Sequence, residues 1–585
     1  MVADKPAGHC FKWFFVMTLL VAILSCSGGQ NSGNSTPQVK EPLRGDIHIV
    51  RAVTNSKIYP DTVIGVDNAS KGLSVTACPM EYESVSFVIS AKTGIQNLLS
   101  VSSDLVKGGD RISSSNVDIK IVKSWYQGGI SGKLDYTLLW GGPQRNLMPE
   151  LLLHDSALVI VDSANKTNYL RIREGNEERY IDISRENGDP SKYDPLAGQE
   201  TDLTMPGNVT FDDSATLQPV NIPAGENQQF WVTVYVPPDT PPGLYDGSIT
   251  IHAANTIPEA IPFQVNVLPF TLDKPMLEYG LYYLGYMSAT KPDRVGYDAK
   301  SETQLRAEIY DMARHGVVSC TVTQNYVPSL TPEFGKFLEI MRSAAMGDKL
   351  YMLWGGNYFI SQEKTASLLA YAKGYGFNDV YFYGGDELQA AQLPGLSGSW
   401  GQMQGWGGKI FASMENAAYS APDILDLAVV DRIRDPLLAA AFHDRGHRIF
   451  SYGVPQVGLE EPETYRRSYG LALWKTGYDG AMLYAYQRSW GSIWNDFDGY
   501  FRDHVFAYPT TNGVVDTIQW EGFREAVDDV RYMTTLVNLV AKAKSQGVPT
   551  TDVEQWIAGI DTAGDLDLIR NGIIERILRL RTLVR

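Results

Sequence analysis

The stretch Asp379-Val380-Tyr381-Phe382-Tyr383-Gly384-Gly385-Asp386-Glu387 joins a short apolar run to two glycines and two adjacent carboxylates. A short apolar run bounded by glycine is typical of a strand that is buried on both faces in a parallel sheet. In parallel barrels the active site lies at the carboxyl ends of the strands, which is where this run places Asp386 and Glu387. The stretch therefore predicts a barrel strand that carries chemistry at its end.

Seven further runs of the same kind lie between residues 275 and 545, and helical segments separate many of them. Alternation of strands and helices predicts a parallel sheet with helices outside, and eight strands favour a closed (β/α)8 TIM-like barrel over an open doubly wound sheet. The predicted strands are Tyr279–Tyr286, Val317–Thr323, Leu350–Trp354, Val380–Tyr383, Lys409–Ser413, Leu425–Val430, Arg448–Tyr452 and Gly480–Tyr484. The predicted helices are Glu302–His315, Pro332–Ala345, Glu363–Tyr375, Pro436–Arg445 and Pro462–Lys475.

Two other parts of this half of the chain have a distinct pattern. The segment Gly395–Gly408 holds six glycines and is predicted to be a long loop over the barrel mouth. From Glu521 a helical pattern continues to about Lys544, and two more helices are predicted near Val553 and over Leu566–Leu583. We therefore assign residues 275–545 to the barrel and 546–585 to a C-terminal helical segment.

Residues 45–274 show a different pattern, in which short alternating runs are separated by Gly, Pro, Asn and Asp. Period-two runs at this spacing predict an antiparallel β-sandwich. The proline-rich segment Val236–Gly243 cannot supply ladder hydrogen bonds at its prolines, so it is predicted to connect two strands. The predicted strands are Ile47–Val53, Ser84–Ala91, Asp118–Val122, Gln229–Val236, Gly247–Ile251 and Pro262–Val267.

The N-terminus has the pattern of a bacterial export signal. The apolar run Phe14–Leu24 follows basic residues and, at eleven residues, is too short to span a bilayer. The run ends in Ile23-Leu24-Ser25-Cys26, which resembles a lipobox, and the alternative is an ordinary secretory signal with an incidental cysteine. We predict a signal peptide over 1–25, lipidation at Cys26, a flexible tether over 26–44, and a lipid anchor in the outer membrane because Ser27 replaces the inner-membrane retention Asp.

Charge and cysteine content exclude several classes of protein. The net charge of −17 and the absence of a dense Lys/Arg run argue against a nucleic-acid partner. Cys78 and Cys320 fall in different predicted domains, so they are expected to be buried free thiols and not a disulfide. The spacing of His443 and His447 suggests a metal pair, but Gly446 interrupts the helix, so no metal or organic cofactor is predicted.

Asp386 and Glu387 have two competing interpretations. Gly384 and Gly385 allow the strand to break, so that both carboxylates can reach one cavity, where proximity raises one pKa and leaves a general acid beside a fixed anion. The alternative is that the pair caps the following helix.

Aromatic residues favour the first interpretation, because seven of the twelve tryptophans lie between Trp354 and Trp520 and sugars stack on aromatic rings. The predicted substrate contacts are Trp354, Asn357, Tyr452, Trp474, Tyr484, Tyr486, Trp494 and Trp520.

The string Tyr381–Glu387, followed downstream by Trp520–Glu525 and Asp528–Tyr532, resembles glycoside hydrolase family 123 and its less characterised relatives. The N-terminal strings Trp125-Tyr126-Gln127, Pro149–Leu152 and Gln229–Val234 also resemble the β-domain ahead of those catalytic domains. One departure is Leu388, where relatives often have proline.

The resemblance implies a retaining, exo-acting β-N-acetylgalactosaminidase with substrate-assisted catalysis, in which the 2-acetamido group of the sugar is the nucleophile. Glu387 would then be the acid/base, Asp386 would orient the acetamide, and Trp520, Glu521 and Arg524 would be pocket or structural residues. The alternatives are a two-carboxylate glycosidase of other sugar specificity and a non-catalytic surface lipoprotein that binds glycans.

Overall fold

The computed structural model describes residues 40–65, 72–128, 144–186, 204–288, 295–296, 298–322, 330–353, 361–489, 491–498 and 502–584. The predicted signal peptide, Cys26, most of the predicted tether, and the predicted substrate contacts Trp354 and Asn357 lie outside these ranges. Among the helices within them, none is both long enough and apolar enough to cross a membrane.

The N-terminal part of the chain consists of strands, as its alternating pattern predicts. All six strands predicted there are present, and most are longer than predicted because their polar ends also pair. The strands are β1 Gly45–Val50, β2 Leu73–Ala77, β3 Tyr82–Ala91, β4 Ile95–Ser102, β5 Leu105–Lys107, β6 Asp110–Ile112, β7 Val117–Gln127, β8 Asn146–Leu153, β9 Val159–Asp162, β10 Thr167–Glu174, β11 Glu177–Asp182, β12 Val220–Ile222, β13 Asn227–Tyr235, β14 Gly243–His252 and β15 Glu259–Val267.

These strands form a five-stranded sheet in the order β1-β3-β13-β7-β8, a seven-stranded sheet containing β12-β4-β14-β15-β2, and a small sheet of β9 to β11. Apolar side chains of the two larger sheets, such as Phe87, Phe230 and Phe263, share one core. The prediction of antiparallel pairing is wrong at one position, because β2 runs parallel to β15, with Leu73 opposite Phe263. A return by a long connection allows this, whereas a hairpin would not.

The second half of the chain contains a closed barrel of eight parallel strands. Each strand overlaps one of the eight predicted from the sequence. The barrel strands are β16 Glu278–Leu281, β19 Ser319–Val322, β20 Lys349–Met352, β21 Asp379–Tyr383, β22 Lys409–Met414, β23 Leu427–Asp431, β24 Arg448–Tyr452 and β25 Gly480–Leu483. Short strands outside the barrel are β17 Tyr286–Met287, β18 Ala299–Lys300, β26 Gln487–Arg488, β27 His504–Val505, β28 Ala507–Pro509 and β29 Val514–Asp516.

Helices follow most barrel strands and pack outside the barrel. Pro332, Pro436 and Pro462 each occupy the first helical position, where the missing N–H costs nothing, so these helices begin where the sequence predicts. The helices are α1 Glu302–Arg314, α2 Pro332–Ser343, α3 Gln362–Gly374, α4 Leu393–Gly405, α5 Pro436–His443, α6 Pro462–Tyr469, α7 Leu471–Trp474, α8 Ile518–Ser545, α9 Thr551–Ala558 and α10 Leu566–Leu583.

The prediction of a loop over Gly395–Gly408 is wrong, because most of this segment forms α4. Glycine disfavours a helix by about 1 kcal/mol per residue relative to alanine. Burial of Leu393, Trp400 and Met403 on one face of α4 outweighs that cost.

Side chains alternate along each barrel strand. In β21, Tyr381 and Tyr383 point into the barrel, whereas Val380 and Phe382 join the layer beneath the helices. The amino-terminal end of the barrel is filled by Glu278, which lies 2.9 Å from both Lys349 and Arg448. The opposite end is the mouth, where Asp386 and Glu387 follow β21.

Candidate active site

The chain bulges outward directly after β21. The amide of Gly384 donates to the carbonyl of Phe411 at 2.7 Å, as in a regular parallel ladder. In a regular ladder the amide of Asp386 would donate the next hydrogen bond to the carbonyl of Ser413. Here the amide of Leu388 donates to that carbonyl instead, at 3.0 Å. Two extra residues are therefore extruded, and both Asp386 and Glu387 are exposed at the barrel mouth.

The glycines before the pair allow this bulge. A Cβ atom on Gly384 would lie 2.8 Å from Ile410 and 2.9 Å from Trp400, so a larger residue would not fit without movement. Glu387 itself adopts a left-handed conformation, with φ of 44°. The next helical segment is a 3-10 turn at Ala390–Gln392, which is capped by Gln389, and α4 starts at Leu393, so the pair caps neither, which removes the helix-cap interpretation.

Hydrogen bonds fix Asp386 in one orientation. Its Oδ1 accepts from the hydroxyl of Tyr383 at 2.6 Å and from the hydroxyl of Ser413 at 2.7 Å. Ser413 Oγ also accepts the backbone N–H of Glu387 at 2.7 Å. One buried serine on the neighbouring strand therefore sets the side chain of Asp386 and the backbone of Glu387 together.

The electrostatic environment favours a proton on Glu387. Partial burial and the adjacent Asp386 raise the pKa of Glu387 above its usual range, and Glu415 adds to this while Arg432 opposes it. A raised pKa allows a carboxyl group to keep its proton to higher pH. The site thus combines an oriented carboxylate with an adjacent carboxyl group whose pKa is raised.

The structure adds two carboxylates that the sequence did not single out. Glu415 directly follows β22, and Asp431 is the last residue of β23, one residue beyond the predicted strand Leu425–Val430. Because Leu427 and Val429 point into the barrel, strand alternation also directs Asp431 inward. Asp431 could have been found from the sequence, because an aspartate at the carboxyl end of a barrel strand is a candidate site residue.

Two of the predicted substrate contacts, Tyr452 and Tyr484, lie at the mouth. They belong to an aromatic group inside the barrel in which the ring of Tyr282 lies 6.2 Å from Tyr383, 6.0 Å from Tyr452 and 5.7 Å from Tyr484. Burial, with Asp386 adding to its effect, raises the pKa of Tyr282, so its hydroxyl stays protonated. These rings form the floor beneath Asp386.

The other predicted substrate contacts within the described ranges lie elsewhere. Tyr486, Trp494 and Trp520 are completely buried, so their faces are not available to a sugar. Trp494 packs 4.9 Å from Tyr508 in the core of the N-terminal sheets.

Trp520 stacks on Phe506 at 4.4 Å, and the hydroxyl of Tyr486 and the indole N–H of Trp520 both donate to Asp311. Trp474 lies at the opposite end of the barrel, where its indole nitrogen contacts the sulfur of Met276 at 3.0 Å. These four residues are therefore corrections to the predicted list.

Cys78 and Cys320, the cysteines within the described ranges, are buried free thiols, as predicted. A possible metal cluster comprises Asp311, His315 and Asp516, whose ligand atoms lie within 4.8 Å of one another. Burial would lower the pKa of His315, but Asp311 and Glu521 outweigh it and raise that pKa to about 9. Within this cluster His315 Nδ1 lies 3.2 Å from Asp311 and Nε2 lies 3.5 Å from Glu521, so the described residues form an ion network.

Several strings that carried the family resemblance lie between the N-terminal sheets and the barrel. Glu150 accepts hydrogen bonds from Trp125, Gln127 and Gln519, which joins β7, β8 and α8. Arg524 lies 2.5 Å from Glu521 and donates to Ser84 of β3, so both of these residues are structural. A cavity of about 710 Å³ also lies at this junction, away from Asp386 and Glu387.

Fold and site together describe a two-part protein in which a β-domain precedes a parallel barrel with paired carboxylates at its mouth. A family 123 glycoside hydrolase from Clostridium perfringens, studied for its hydrolysis of glycolipid glycans, shares this fold with a TM-score of 0.64. The similarity covers 92% of this chain and 100% of that chain at 13% sequence identity. The family resemblance predicted from the sequence is therefore confirmed at the level of the fold.

Two other solved structures with similarity to this chain are much less similar to it. A GH5 xyloglucanase from Bacteroides ovatus has a TM-score of 0.26 and 8% identity, over 83% of this chain and 100% of that chain. Dihydrodipicolinate synthase from Rhodopseudomonas palustris has a TM-score of 0.24 and 10% identity, over 37% of this chain and 72% of that chain. No family model and no curated protein matches the sequence.

Proposed function

We propose that this protein is a retaining, exo-acting β-N-acetylgalactosaminidase that removes terminal β-linked N-acetylgalactosamine by substrate-assisted catalysis. The observation that carries the proposal is the bulge after β21, which exposes Asp386 and Glu387 side by side at the barrel mouth. The fold shared with the family 123 glycoside hydrolase supports it. We also propose that the barrel is of the TIM-like (β/α)8 type and that the two larger N-terminal sheets form a β-sandwich.

In this mechanism the carbonyl oxygen of the 2-acetamido group attacks the anomeric carbon while Glu387 gives its proton to the departing glycosidic oxygen. Asp386, held by Tyr383 and Ser413, accepts the acetamide N–H and stabilises the positive charge of the oxazolinium ion. Water then attacks the anomeric carbon, and Glu387 takes the proton of that water. The two displacements give net retention.

The adjacency of the two carboxylates supports substrate assistance over an enzymatic nucleophile. A retaining two-carboxylate enzyme holds acid and nucleophile about 5 Å apart on opposite sides of the bond that breaks. Substrate assistance has no such requirement, because the sugar supplies the nucleophile, and two consecutive residues on one bulge are compatible with it. In the second candidate function, a two-carboxylate glycosidase, Glu415 after β22 or Asp431 at the end of β23 would be the partner of Glu387.

The decisive experiment compares Glu387→Gln and Asp386→Asn on aryl β-N-acetylgalactosaminides of graded leaving-group acidity. Loss of Glu387 should reduce kcat/KM strongly with poor leaving groups and much less with good ones, since those need no protonation. Asp386→Asn should cost roughly a hundredfold or more with every leaving group. Asp379→Asn, at the far end of the same strand, is the matched control and should retain activity.

A panel of substrates varied at C2 and C4 separates the candidates. Substrate assistance requires the 2-acetamido group, so the 2-hydroxyl analogue should not be cleaved and a thiazoline mimic of the intermediate should inhibit. Equal cleavage of the 2-acetamido substrate and its 2-hydroxyl analogue would indicate the two-carboxylate mechanism. Glycan binding without hydrolysis of any panel member would indicate the non-catalytic lipoprotein. The C4 epimers test galactosamine, which the family resemblance favours, against glucosamine.

We further propose that the protein is exported and anchored to the outer membrane through lipid at Cys26, on the basis of the lipobox-like sequence. The tether that follows would leave the folded part free to reach glycans. Cys26→Ser should move the protein from the membrane fraction to the soluble fraction. Unchanged membrane association of that variant would contradict the anchor.

A further inference from the structure

The last residue of β23, Asp431, is closely confined at the barrel mouth. A Cβ atom on Gly453, which has φ of 72°, would lie 1.8 Å from Asp431 Oδ1, so only glycine fits beside this carboxylate. That Oδ1 is buried and has no hydrogen-bond partner among the described residues. The carboxylate is therefore placed by close packing and is poorly solvated.

Arg432 supplies the opposite charge to this carboxylate. Its Nε lies 3.2 Å from Asp431 Oδ2, and its own backbone is left-handed, with φ of 58°. The side chain of Asp431 is 14% exposed and that of Arg432 is 64% exposed. The cation therefore faces the solvent of the mouth, and the anion lies below it.

Three consecutive strand ends bring like charges together here. Asp386 and Glu387 follow β21, Glu415 follows β22, and Asp431 ends β23. Arg432 is the cation that acts on both Glu387 and Asp431. Such a cluster cannot be fully ionised without cost, so the protons of its members are interdependent.

We propose that the Asp431–Arg432 pair is a positioning element that determines the pH range in which Glu387 holds its catalytic proton. This inference rests on the proposed function, because it assigns Glu387 as the general acid. Asp431 would act through space on Glu387 and would not touch the reacting bond.

The charges around the pair support this role. Burial raises the pKa of Asp431 to about 6, Arg432 opposes that rise, and Glu387 and Glu415 add to it. On the neighbouring helix α6, burial raises the pKa of the Tyr469 phenol, and the charge of Asp431 adds to that rise. The repulsion between Glu387 and Asp431 that adds to the rise in the pKa of Asp431 is mutual, so an ionised Asp431 disfavours ionisation of Glu387, whereas Arg432 favours it.

Single and double variants of the pair test this inference through the alkaline limb of the kcat/KM profile. Asp431→Asn removes a negative charge, so Glu387 should ionise more easily and the limb should move to lower pH by roughly 0.5 to 1 unit. Arg432→Gln removes a positive charge, and the limb should move to higher pH by a similar amount. The double variant should return close to the wild-type limb, because the pair is neutral as a unit.

Arg432→Lys is the conservative control, because it keeps the charge and should leave the limb in place. A purely structural role would lower activity or the unfolding midpoint without moving the limb, or would move it in the same direction in both single variants. Either result would overturn the inference. If Asp431→Asn were poorly folded, the Arg432→Gln and Arg432→Lys pair would still decide it.

The experiments distinguish failure of the proposed function from failure of this inference. A wild-type protein that hydrolyses no member of the substrate panel would refute the enzyme assignment. The inference would then be tested by titrating [13Cδ]glutamate in the wild type, with Glu387→Gln to assign the Glu387 resonance. The midpoint for Glu387 should fall in Asp431→Asn and rise in Arg432→Gln, and equal midpoints in all three proteins would refute the electrostatic coupling.

Discussion

Ser413 links the two carboxylates of the site, since its hydroxyl donates to Asp386 and accepts the amide of Glu387. Ser413→Ala should therefore lower kcat/KM by roughly 10- to 100-fold, because both groups lose orientation while the proposed acid and anion remain present. The free energy of unfolding should fall by only about 1 to 2 kcal/mol. Steady-state kinetics and urea denaturation measure the two effects.

Ser451 offers a matched control for that substitution. It is also fully buried on a barrel strand, β24, but its hydroxyl accepts from Arg434 at 3.3 Å and does not contact the carboxylate pair. Ser451→Ala should cost similar stability with little loss of kcat/KM. Equal loss of activity in both serine variants would show that the effect of Ser413 is general destabilisation.

At the level of single residues, the sequence predicted the carboxylate pair but not its supports. Asp386 and Glu387 stand at the end of an apolar run, which is a local signal. The positions of Ser413 and Asp431 near the pair become apparent only when β22 pairs with β21 and β23 pairs with β22, and adjacency in a barrel is not encoded within a short window. The prediction of Trp494 and Trp520 as substrate contacts was wrong because both rings are buried in cores, and their local sequence does not distinguish them from exposed rings.

Helix α4 shows how packing overrides propensity at the level of elements. At its exposed glycines Gly398 and Gly401, an added Cβ atom would have no neighbour within 4 Å, so a methyl group would meet no obstacle. Gly398→Ala should raise the free energy of unfolding by roughly 0.5 to 1 kcal/mol, since alanine loses less backbone entropy in a helix. Urea denaturation is the measurement, and unchanged kcat/KM is expected.

Gly384 provides the opposite case and the control for that prediction. A Cβ atom there would lie 2.8 Å from Ile410 and 2.9 Å from Trp400, so Gly384→Ala should destabilise the fold and disturb the bulge. Stabilisation by Gly384→Ala, or destabilisation by Gly398→Ala, would contradict the packing described for α4 and β21.

The barrel strands could be predicted because their apolar runs are short and bounded by helices with prolines at their first turns. The glycines of α4 concealed a helix because local composition opposes it and only the burial of Trp400 and Met403 supports it. The parallel pairing of β2 with β15 was missed for a similar reason, since the two strands are almost 200 residues apart in sequence.

For the whole molecule, an ion network connects the N-terminal sheet to the C-terminal helices. Arg570 of α10 lies 2.6 Å from Asp529, 2.7 Å from Glu525 and 3.1 Å from Glu83 of β3. Arg466 of α6 lies 2.8 Å from Asp529 on the other side. Four segments, β3, α6, α8 and α10, therefore share one set of charges, which explains why the strings of the family resemblance extend beyond the active site.

Arg570→Met should destabilise the protein by roughly 3 to 5 kcal/mol, because it keeps the aliphatic stem but leaves buried carboxylates without their cation. Arg579→Met, in the same helix, removes an exposed pair with Asp552 whose side chains are 50% and 61% exposed, and should cost less than about 1 kcal/mol. Urea denaturation of both variants beside the wild type measures the difference. Similar losses in the two variants would refute a structural role for the buried network.

The pH dependence of that difference separates charge from packing. Burial already raises the pKa of Glu525 and of Glu83, with neighbouring carboxylates adding to the rise. Without Arg570 their pKa values in the folded state should rise further above the unfolded values, so protonation on lowering the pH favours the folded state. The deficit of Arg570→Met relative to wild type should therefore shrink between pH 7 and pH 5, whereas a deficit caused by lost packing would stay constant over that range.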